Sequence, residues 1–239
     1  MEEYNSIAIF QGKLKFFSIE SAKKFSWYEY KKYFYGLKNK SKNLNSTVSY
    51  IKHMIQNWYN IDFEVILSLL ENENHLRGLS RRIKMPSATL SRKIRKLTDS
   101  NILDFKIEGR NKIFFIKKNL QSKTYIYNAE KYKLIKLLRI YPELNIILDE
   151  LLNKVKERVI ILFGSYAKFS AKKESDIDIY VNTNNDKIID LAKQINSKIN
   201  IKTGKFDKNS VLIKEIIKNH IILKGVEEFY EKIWTSKRT

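Results

Sequence analysis

Two aspartates separated by a single residue are the side chains in this sequence best suited to chemistry. Asp176 and Asp178 lie within Ser-Asp-Ile-Asp-Ile-Tyr-Val, residues 175–181, whose apolar positions predict a β-strand. Because side chains alternate along a strand, both carboxylates are expected on the same face. Adjacent carboxylates repel one another unless a divalent cation lies between them, and Mg²⁺ prefers such oxygen ligands. The spacing therefore predicts that Asp176 and Asp178 bind Mg²⁺ together.

A glycine and a serine precede these aspartates in the chain. Gly164 and Ser165 directly follow the apolar run 159–163, which is short enough for a buried strand. A turn at this point, opening a helix, exposes backbone N–H groups and a hydroxyl that suit phosphates. Glycine is expected there because a side chain would block their approach. Lys168 adds a positive charge, unless it is only a solvated surface lysine.

Gly-Ser-Tyr-Ala-Lys at 164–168, followed by Ser-Asp-Ile-Asp at 175–178, resembles the signature of the DNA polymerase β nucleotidyltransferase superfamily. It is most similar to the minimal nucleotidyltransferases of bacteria and archaea, over roughly residues 145–235. The resemblance implies transfer of a nucleoside monophosphate from an NTP to a hydroxyl, with release of pyrophosphate. It implies that the catalytic and metal-binding residues are Asp176 and Asp178, and that the nucleotide-binding residues are Gly164, Ser165, Lys168 and Ser175.

Two residues depart from the pattern of that superfamily. Phe169 follows Lys168 where many relatives have glycine, so the loop is expected to be tighter or shifted. In active members a later strand supplies a third carboxylate, but the strand predicted at 198–205 carries Asn200, and the nearest acid is Asp207. An amide binds metal weakly and cannot accept a proton, so we expect slow or absent catalysis with nucleotide binding retained.

The chain upstream has the periodicity of helices followed by a hairpin. The predicted helices are 61–72, 76–83 and 88–99, and the predicted strands are 102–107 and 112–116. Pro86 separates the second and third helices, Ser87 is suited to cap the third, and Gly109 suits the hairpin turn. This order resembles a winged helix-turn-helix over about residues 60–118.

In such a module the third helix enters the major groove of DNA and the wing contacts the backbone. The residues expected to face DNA are Ser87, Thr89, Ser91, Arg92 and Arg95 on the third helix, with Arg110 and Lys112 on the wing. The alternative is a winged helix that serves only for protein docking or dimerisation. The basic outer face of the third helix favours DNA.

The composition agrees with a polyanionic partner. The 239 residues include 46 Lys and Arg against 26 Asp and Glu, a formal charge of +20, and such a field attracts nucleic acid. A proteome rich in Lys, Asn and Ile would give the same excess of basic residues without implying a nucleic-acid partner. Cys is absent, which excludes disulfides and thiolate metal sites. Without a signal peptide or an apolar run of about 20 residues, we expect a cytoplasmic protein with no membrane contact.

The predicted domains are an aromatic and lysine-rich region (1–58), a winged helix-turn-helix (59–120), a linking helix (121–143) and a nucleotidyltransferase domain (144–239). Aromatics among lysines in the first region either stack on bases or form a small core, and 36–49 is a predicted linker. The linking segment is predicted to be helical over 128–141. The predicted fold class is α+β, a helical winged-helix part followed by a small mixed β-sheet with flanking helices.

The function expected from these features is Mg²⁺-dependent transfer of NMP from NTP, coupled to a winged helix that brings the enzyme to DNA or RNA. One alternative is a transcriptional regulator that senses nucleotides without catalysis. Another is an antitoxin-like partner of a helical HEPN-type toxin, because many minimal nucleotidyltransferases act in that way. A homodimer is expected from the winged helix, and the isolated His220 is interpreted as structural.

Overall fold

The structure, a computed structural model, describes residues 60–234 and the backbone of two short strands nearer the N-terminus. These strands, β1 (Ile7–Phe10) and β2 (Lys13–Phe16), pair antiparallel with each other. The aromatic and lysine side chains of 1–58, for which base stacking or a small core was predicted, lie outside the described residues, as does the predicted linker at 36–49.

Three helices come next, namely α1 (Ile61–Glu71), α2 (Leu76–Ile83) and α3 (Ser87–Asp99). The side chain of Asn60 caps α1 and that of His75 caps α2, each by accepting hydrogen bonds from backbone N–H groups of the first turn. The apolar faces of the helices meet around Val65, Leu79 and Leu90, which are fully buried. The three predicted helices are confirmed, and their ends differ from the prediction by single residues.

The turn between α2 and α3 differs from the prediction in one respect. Ser87 was expected to cap α3, but the N-cap is Pro86 and no side chain caps the helix. The Ser87 hydroxyl instead donates to the Ser80 hydroxyl at 3.1 Å, and Ser80 donates to the carbonyl of Met85 at 2.6 Å. The fixed φ of proline starts the helix one residue early, and the serine hydroxyls hold the turn closed.

A small sheet forms the wing. Its strands are β3 (Asn74–His75), β4 (Leu103–Glu108) and β5 (Asn111–Ile116), in the order β3-β5-β4. The β4–β5 hairpin pairs Glu108 with Asn111 and turns at Gly109, whose φ of +58° is readily adopted by glycine. The predicted hairpin is confirmed.

Two helices follow the wing, α4 (Leu120–Ile140) and α5 (Leu144–Lys154). The prediction that the first begins at Asn128 is wrong, because Asn119 caps it by accepting a hydrogen bond from the N–H of Ser122 at 2.8 Å. The first turns contain Gln, Ser, Lys and Thr, so they show no apolar stripe. Ser122 is nevertheless fully buried and donates to the carbonyl of Ile102.

The C-terminal part is built on a four-stranded mixed sheet. Its strands are β6 (Ile160–Leu162), β7 (Ile177–Val181), β8 (Ile199–Thr203) and β9 (Ile221–Lys224), in the order β8-β7-β6-β9. β6 is antiparallel to both of its neighbours, and β7 and β8 are parallel. The helices are α6 (Gly164–Ala167), α7 (Lys187–Ile195), α8 (Val211–Lys218) and α9 (Val226–Trp234). The predicted α+β fold is therefore confirmed.

The two faces of this sheet contribute to different cores. Ile160, Leu162 and Ile179 pack with α5 and α7. On the other face, Ile161 and Tyr180 belong to one continuous apolar cluster with α1, α2 and α3. The winged helix and the sheet therefore share a core, rather than being two separate units joined by a linker.

A buried ionic cluster joins α4 to the C-terminal elements. Oε1 of Glu130, a residue only 1% exposed, accepts a hydrogen bond from the Tyr230 hydroxyl at 2.9 Å and lies 3.3 Å from His220 Nε2. Burial alone would raise the pKa of the Glu130 carboxyl. The charges of Lys133 and His220 and the hydrogen bonds outweigh burial and lower this pKa to about 2. His220 Nδ1 lies 3.0 Å from the carbonyl of Ile216, so both ring nitrogens have structural partners.

No helix among residues 60–234 is both long and apolar enough to cross a bilayer.

Candidate nucleotide-binding site and nucleic-acid interface

The turn after β6 brings Gly164 against Asp178. Gly164 has a φ of +71°, and a Cβ built on it would collide with Oδ2 of Asp178. The neighbouring backbone is tied to the same residue, since the Phe163 N–H donates to the Asp178 carbonyl at 2.9 Å. Only glycine permits this backbone path and this close approach at once. The turn and the second aspartate are therefore fixed relative to each other.

Ser165 follows in the single helical turn of α6. Its carbonyl accepts hydrogen bonds from the N–H of Ser170 at 3.0 Å and from the Ser170 hydroxyl at 3.3 Å, which closes the loop. The half-buried Ser165 hydroxyl has no hydrogen bond within residues 60–234. This hydroxyl is therefore free to bind a phosphate oxygen.

Asp178 is half-buried in β7 and directly opposite Asn200 in the parallel strand β8. The Asn200 Nδ2 donates to the Asp178 Oδ1 at 3.0 Å. The other carboxylate oxygen, Oδ2, faces the Gly164 turn. Asn200 thus lies on the strand where the sequence predicted an amide in place of the third acid. It donates a hydrogen bond to Asp178, one of the two candidate metal ligands.

Asp176 lies just before β7, because that strand begins at Ile177 and not at Ser175 as predicted. Its exposed carboxylate has no hydrogen bond or ion pair within residues 60–234, and Asp178 takes part in no ion pair there. Ile177 and Ile179 point into the core beneath α5, so Asp178 projects from the opposite face.

Ser175 has a local structural role that the sequence did not predict. Its hydroxyl accepts a hydrogen bond from the Lys172 N–H at 2.8 Å, and its own N–H donates to the Lys172 carbonyl at 3.0 Å. These bonds close a turn immediately before Asp176, which is why β7 starts later than predicted. Ser175 therefore positions the approach to the aspartates.

Lys168 and Phe169 end the glycine–serine loop. The Lys168 ammonium pairs with Glu215 on α8 at 2.7 Å, and this hydrogen bond lowers the pKa of the Glu215 carboxyl. No sequence pattern pointed to Glu215, because it lies far from Lys168 along the chain and only the fold brings the two together. Phe169 has a φ of +54°, so a residue other than glycine at this position costs about 1 kcal/mol of backbone strain.

Asp176 and Asp178 are the carboxylates that would hold a magnesium ion. Mg²⁺ is commonly bound by one or two protein carboxylates and takes its remaining ligands from water and substrate phosphates. Asp176 and Asp178 meet that requirement. Asp207 instead caps its own turn by accepting from the Asn209 N–H at 2.9 Å. Within residues 60–234 no three His, Cys, Asp or Glu side chains form a metal-binding group.

The third helix of the winged helix presents a basic face to solvent. Ser91, Arg92 and Arg95 are exposed, whereas Thr89 and Ser87 are half-buried. Among residues 60–234 the Arg92 guanidinium bonds only to the carbonyl of Ala88, at 3.4 Å, on its own helix. Both arginines are therefore available to a polyanion.

The wing carries two further cations. Arg110 is exposed in the hairpin turn, and the Lys112 ammonium lies 4.0 Å from the centre of the Phe105 ring. On α2, Arg77 and Arg81 are also exposed, although the sequence did not single them out. These cations add positive charge on α2 and on the wing.

The model of the family described as polymerase beta, nucleotidyltransferase, matches residues 145–228. No curated protein sequence matches the chain.

Two solved structures resemble part of the chain. The adhesin competence repressor AdcR from Streptococcus pyogenes is 14% identical over 48% of this chain and 85% of its own, with a TM-score of 0.34. A homodimeric winged helix-turn-helix DNA-binding domain from Mycobacterium bovis is 12% identical over 50% of this chain and 98% of its own, with a TM-score of 0.27.

TM-scores this low do not establish a shared fold. The assignment of the winged helix rests instead on the order of α1, α2, α3 and the wing. The sheet order, the Gly-Ser turn, the Asp-x-Asp strand and the matched segment agree with one another. Residues 145–228 therefore match the polymerase beta, nucleotidyltransferase family, and a winged helix-turn-helix precedes them in the same chain.

Proposed function

We propose that the C-terminal domain binds an NTP with Mg²⁺ at Asp176 and Asp178, transfers its NMP to a hydroxyl acceptor, and is brought to DNA by the winged helix. The observation that carries the proposal is the contact between Gly164 and Asp178, which places a side-chain-free turn against a carboxylate. A triphosphate and a metal-binding group need to be neighbours in this way.

Each residue of the site has its own role in nucleotide binding or transfer. Gly164 leaves room for the terminal phosphates, and the Ser165 hydroxyl donates to them. Lys168 supplies a positive charge once it leaves Glu215. Mg²⁺ on Asp176 and Asp178 would neutralise triphosphate charge and align the α-phosphorus with the attacking hydroxyl. Ser175 holds the turn that sets the position of Asp176.

The DNA contacts are proposed for the basic face. Arg92 and Arg95 on α3 are long enough to reach base edges or phosphates in the major groove, and Ser91 lies beside them. Thr89 and Ser87 are better placed to position the helix, because Ser87 is already bonded to Ser80. Arg110 and Lys112 are proposed to contact the DNA backbone from the wing.

Incubation with labelled NTPs, Mg²⁺ and candidate acceptors tests the enzymatic part. We expect a labelled acceptor with the wild-type chain and none with Asp176→Asn or Asp178→Asn. Asp149→Asn, an exposed change on α5, is the matched control and should leave labelling intact. If neither the wild type nor either site variant labels the acceptor, transfer of NMP is refuted.

A second candidate is a nucleotide-sensing DNA-binding regulator that does not catalyse transfer. It is favoured by the hydrogen bond from Asn200 to Asp178 and by the core that the sheet shares with α1, α2 and α3. A sensor binds Mg–NTP without turnover, and this binding changes its affinity for DNA by the same factor that DNA changes its affinity for nucleotide. Calorimetry with and without a DNA fragment distinguishes the two candidates.

A HEPN-type toxin partner, a homodimer and a cytoplasmic location stay predictions from the sequence. A short all-helical reading frame beside the gene tests the first, and the mass of the chain in solution tests the second.

A further inference from the structure

We infer that the nucleotide site holds one divalent cation and not two, because β8 presents an amide and a lysine where a second cation would need an acid. The inference rests on the proposed function, since it concerns the site formed by Asp176 and Asp178. It assigns roles to Asn200 and Lys202, neither of which the proposed function requires.

Asn200 occupies the position from which a third ligand would reach the site. It is in register with Asp178 across the parallel strands, and its Nδ2 donates to Oδ1 at 3.0 Å. A carboxylate oxygen that accepts this hydrogen bond has one lone pair fewer for a metal ion. Only the amide nitrogen can donate, so the NH₂ group, which cannot ligate a cation, points at Asp178. The amide therefore holds this carboxylate in place and leaves Oδ2 for a single ion.

Lys202 adds positive charge on the same face of the strand. Ile199 and Ile201 are buried in the core under α5 and α7, so Asn200 and Lys202 share the opposite face. Lys202 is exposed and has no ion pair within residues 60–234. Relative to a strand with an acid at position 200, this face lacks one negative charge, and it carries a positive one two residues further on. Both differences oppose binding of a second divalent cation.

The neighbouring carboxylates are already engaged elsewhere. Glu215 pairs with Lys168 at 2.7 Å, and Asp207 caps the turn that leads to α8. Asp186 accepts a hydrogen bond from the Thr203 hydroxyl at the end of β8, at 2.7 Å. None of these three contacts Asp176 or Asp178 in the described part of the chain. Among residues 60–234 the site therefore has two carboxylates for one ion and no third acid to accept the acceptor's proton.

Counting bound Mn²⁺ by electron paramagnetic resonance tests the inference without reference to turnover. The full chain is saturated with a non-hydrolysable NTP analogue and titrated with Mn²⁺, and the ratio of bound Mn²⁺ to bound nucleotide is measured. We expect a ratio of one for the wild type and of two for Asn200→Asp. The control Asn153→Asp introduces the same charge on the exposed surface of α5 and should keep the ratio at one.

A wild-type ratio of two would overturn the inference and leave the proposed function standing. An unchanged ratio in a folded Asn200→Asp chain would also overturn it, because the amide would then not be what excludes the second ion. Asn200→Ala should keep the ratio at one but weaken Mn²⁺ binding, since Asp178 loses its hydrogen bond. Failure of the wild type to bind the Mn–nucleotide complex at all would instead refute the proposed function itself.

Discussion

The Asn200 side chain donates a hydrogen bond to Asp178 across two parallel strands, at 3.0 Å between Nδ2 and Oδ1. This contact fixes the orientation of the carboxylate that faces the Gly164 turn. It also puts a neutral donor at the position where a catalytic acid would accept a proton. The proposed site would therefore combine a place for a metal–triphosphate complex with a weakened capacity for proton transfer.

The Gly164 turn should tolerate no side chain. Gly164→Ala introduces backbone strain at a φ of +71° and a collision with Asp178, so affinity for Mg–NTP should fall by about tenfold or more. Gly109→Ala is the matched control, because Gly109 has a similar φ of +58° but open space around its Cβ position. Calorimetric titration of both variants, with their melting temperatures, separates the collision from the strain. Equal losses of affinity would contradict the assigned role of Gly164.

Glu215 should weaken nucleotide binding by holding Lys168. Surface ion pairs are worth roughly 0.2–1 kcal/mol, so Glu215→Gln should tighten NTP binding by up to about fivefold. Glu150→Gln on α5 is the control, since Glu150 forms a similarly exposed pair with Lys154 at 2.6 Å. Fluorescence titration with a labelled NTP provides the comparison. If Glu215→Gln and Glu150→Gln have the same affinity, Lys168 does not contact the nucleotide.

Arg92 and Arg95 should account for much of the affinity for DNA. Replacing either with Ala should cost about 1–3 kcal/mol if it reads a base edge, or lower the slope of log K against log salt by about 1 if it contacts a phosphate. Arg158, which is exposed just before β6, is the control. Its replacement with Ala should change the affinity for DNA little. Binding to a DNA fragment measured at several salt concentrations distinguishes these outcomes. A winged helix used only for protein docking would show no effect at any of the three positions.

The ionic cluster around Glu130 should make the free energy of unfolding depend on pH in the acid range. The pKa of Glu130 is lowered from 4.5 to about 2 in the folded chain, so its contribution to stability is complete above about pH 4.5 and is lost as the pH falls towards 2. Glu130→Gln should reduce the free energy of unfolding at neutral pH by on the order of 3 kcal/mol. It should also flatten the pH dependence in that acid range.

Urea unfolding from pH 2 to pH 7 measures both effects. Tyr230→Phe, which removes one of the hydrogen bonds to Glu130, should cost only about 1 kcal/mol. An unchanged acid dependence in Glu130→Gln would show that other carboxylates govern the acid unfolding.

The sequence predicted the elements that follow local patterns and failed where tertiary contacts decide. The Gly-Ser turn, the strand that carries Asp178 and the three helices before the wing each depend on residues within a few positions of one another. Helix α7 was not predicted, and the first turns of α4 were missed because the buried Ser122 is polar. The pairing of Lys168 with Glu215 depends on the folded backbone, which no local pattern encodes.

The most direct test of the account is calorimetric titration of NTP into the wild-type chain and into Asp178→Asn, each with and without Mg²⁺. Because Asp178 is held against the turn at Gly164, we predict binding to the wild type only when Mg²⁺ is present and little or none to Asp178→Asn under either condition. Binding that is equally tight in the variant, or that does not depend on the metal, would contradict a site in which these carboxylates present a metal-bound triphosphate.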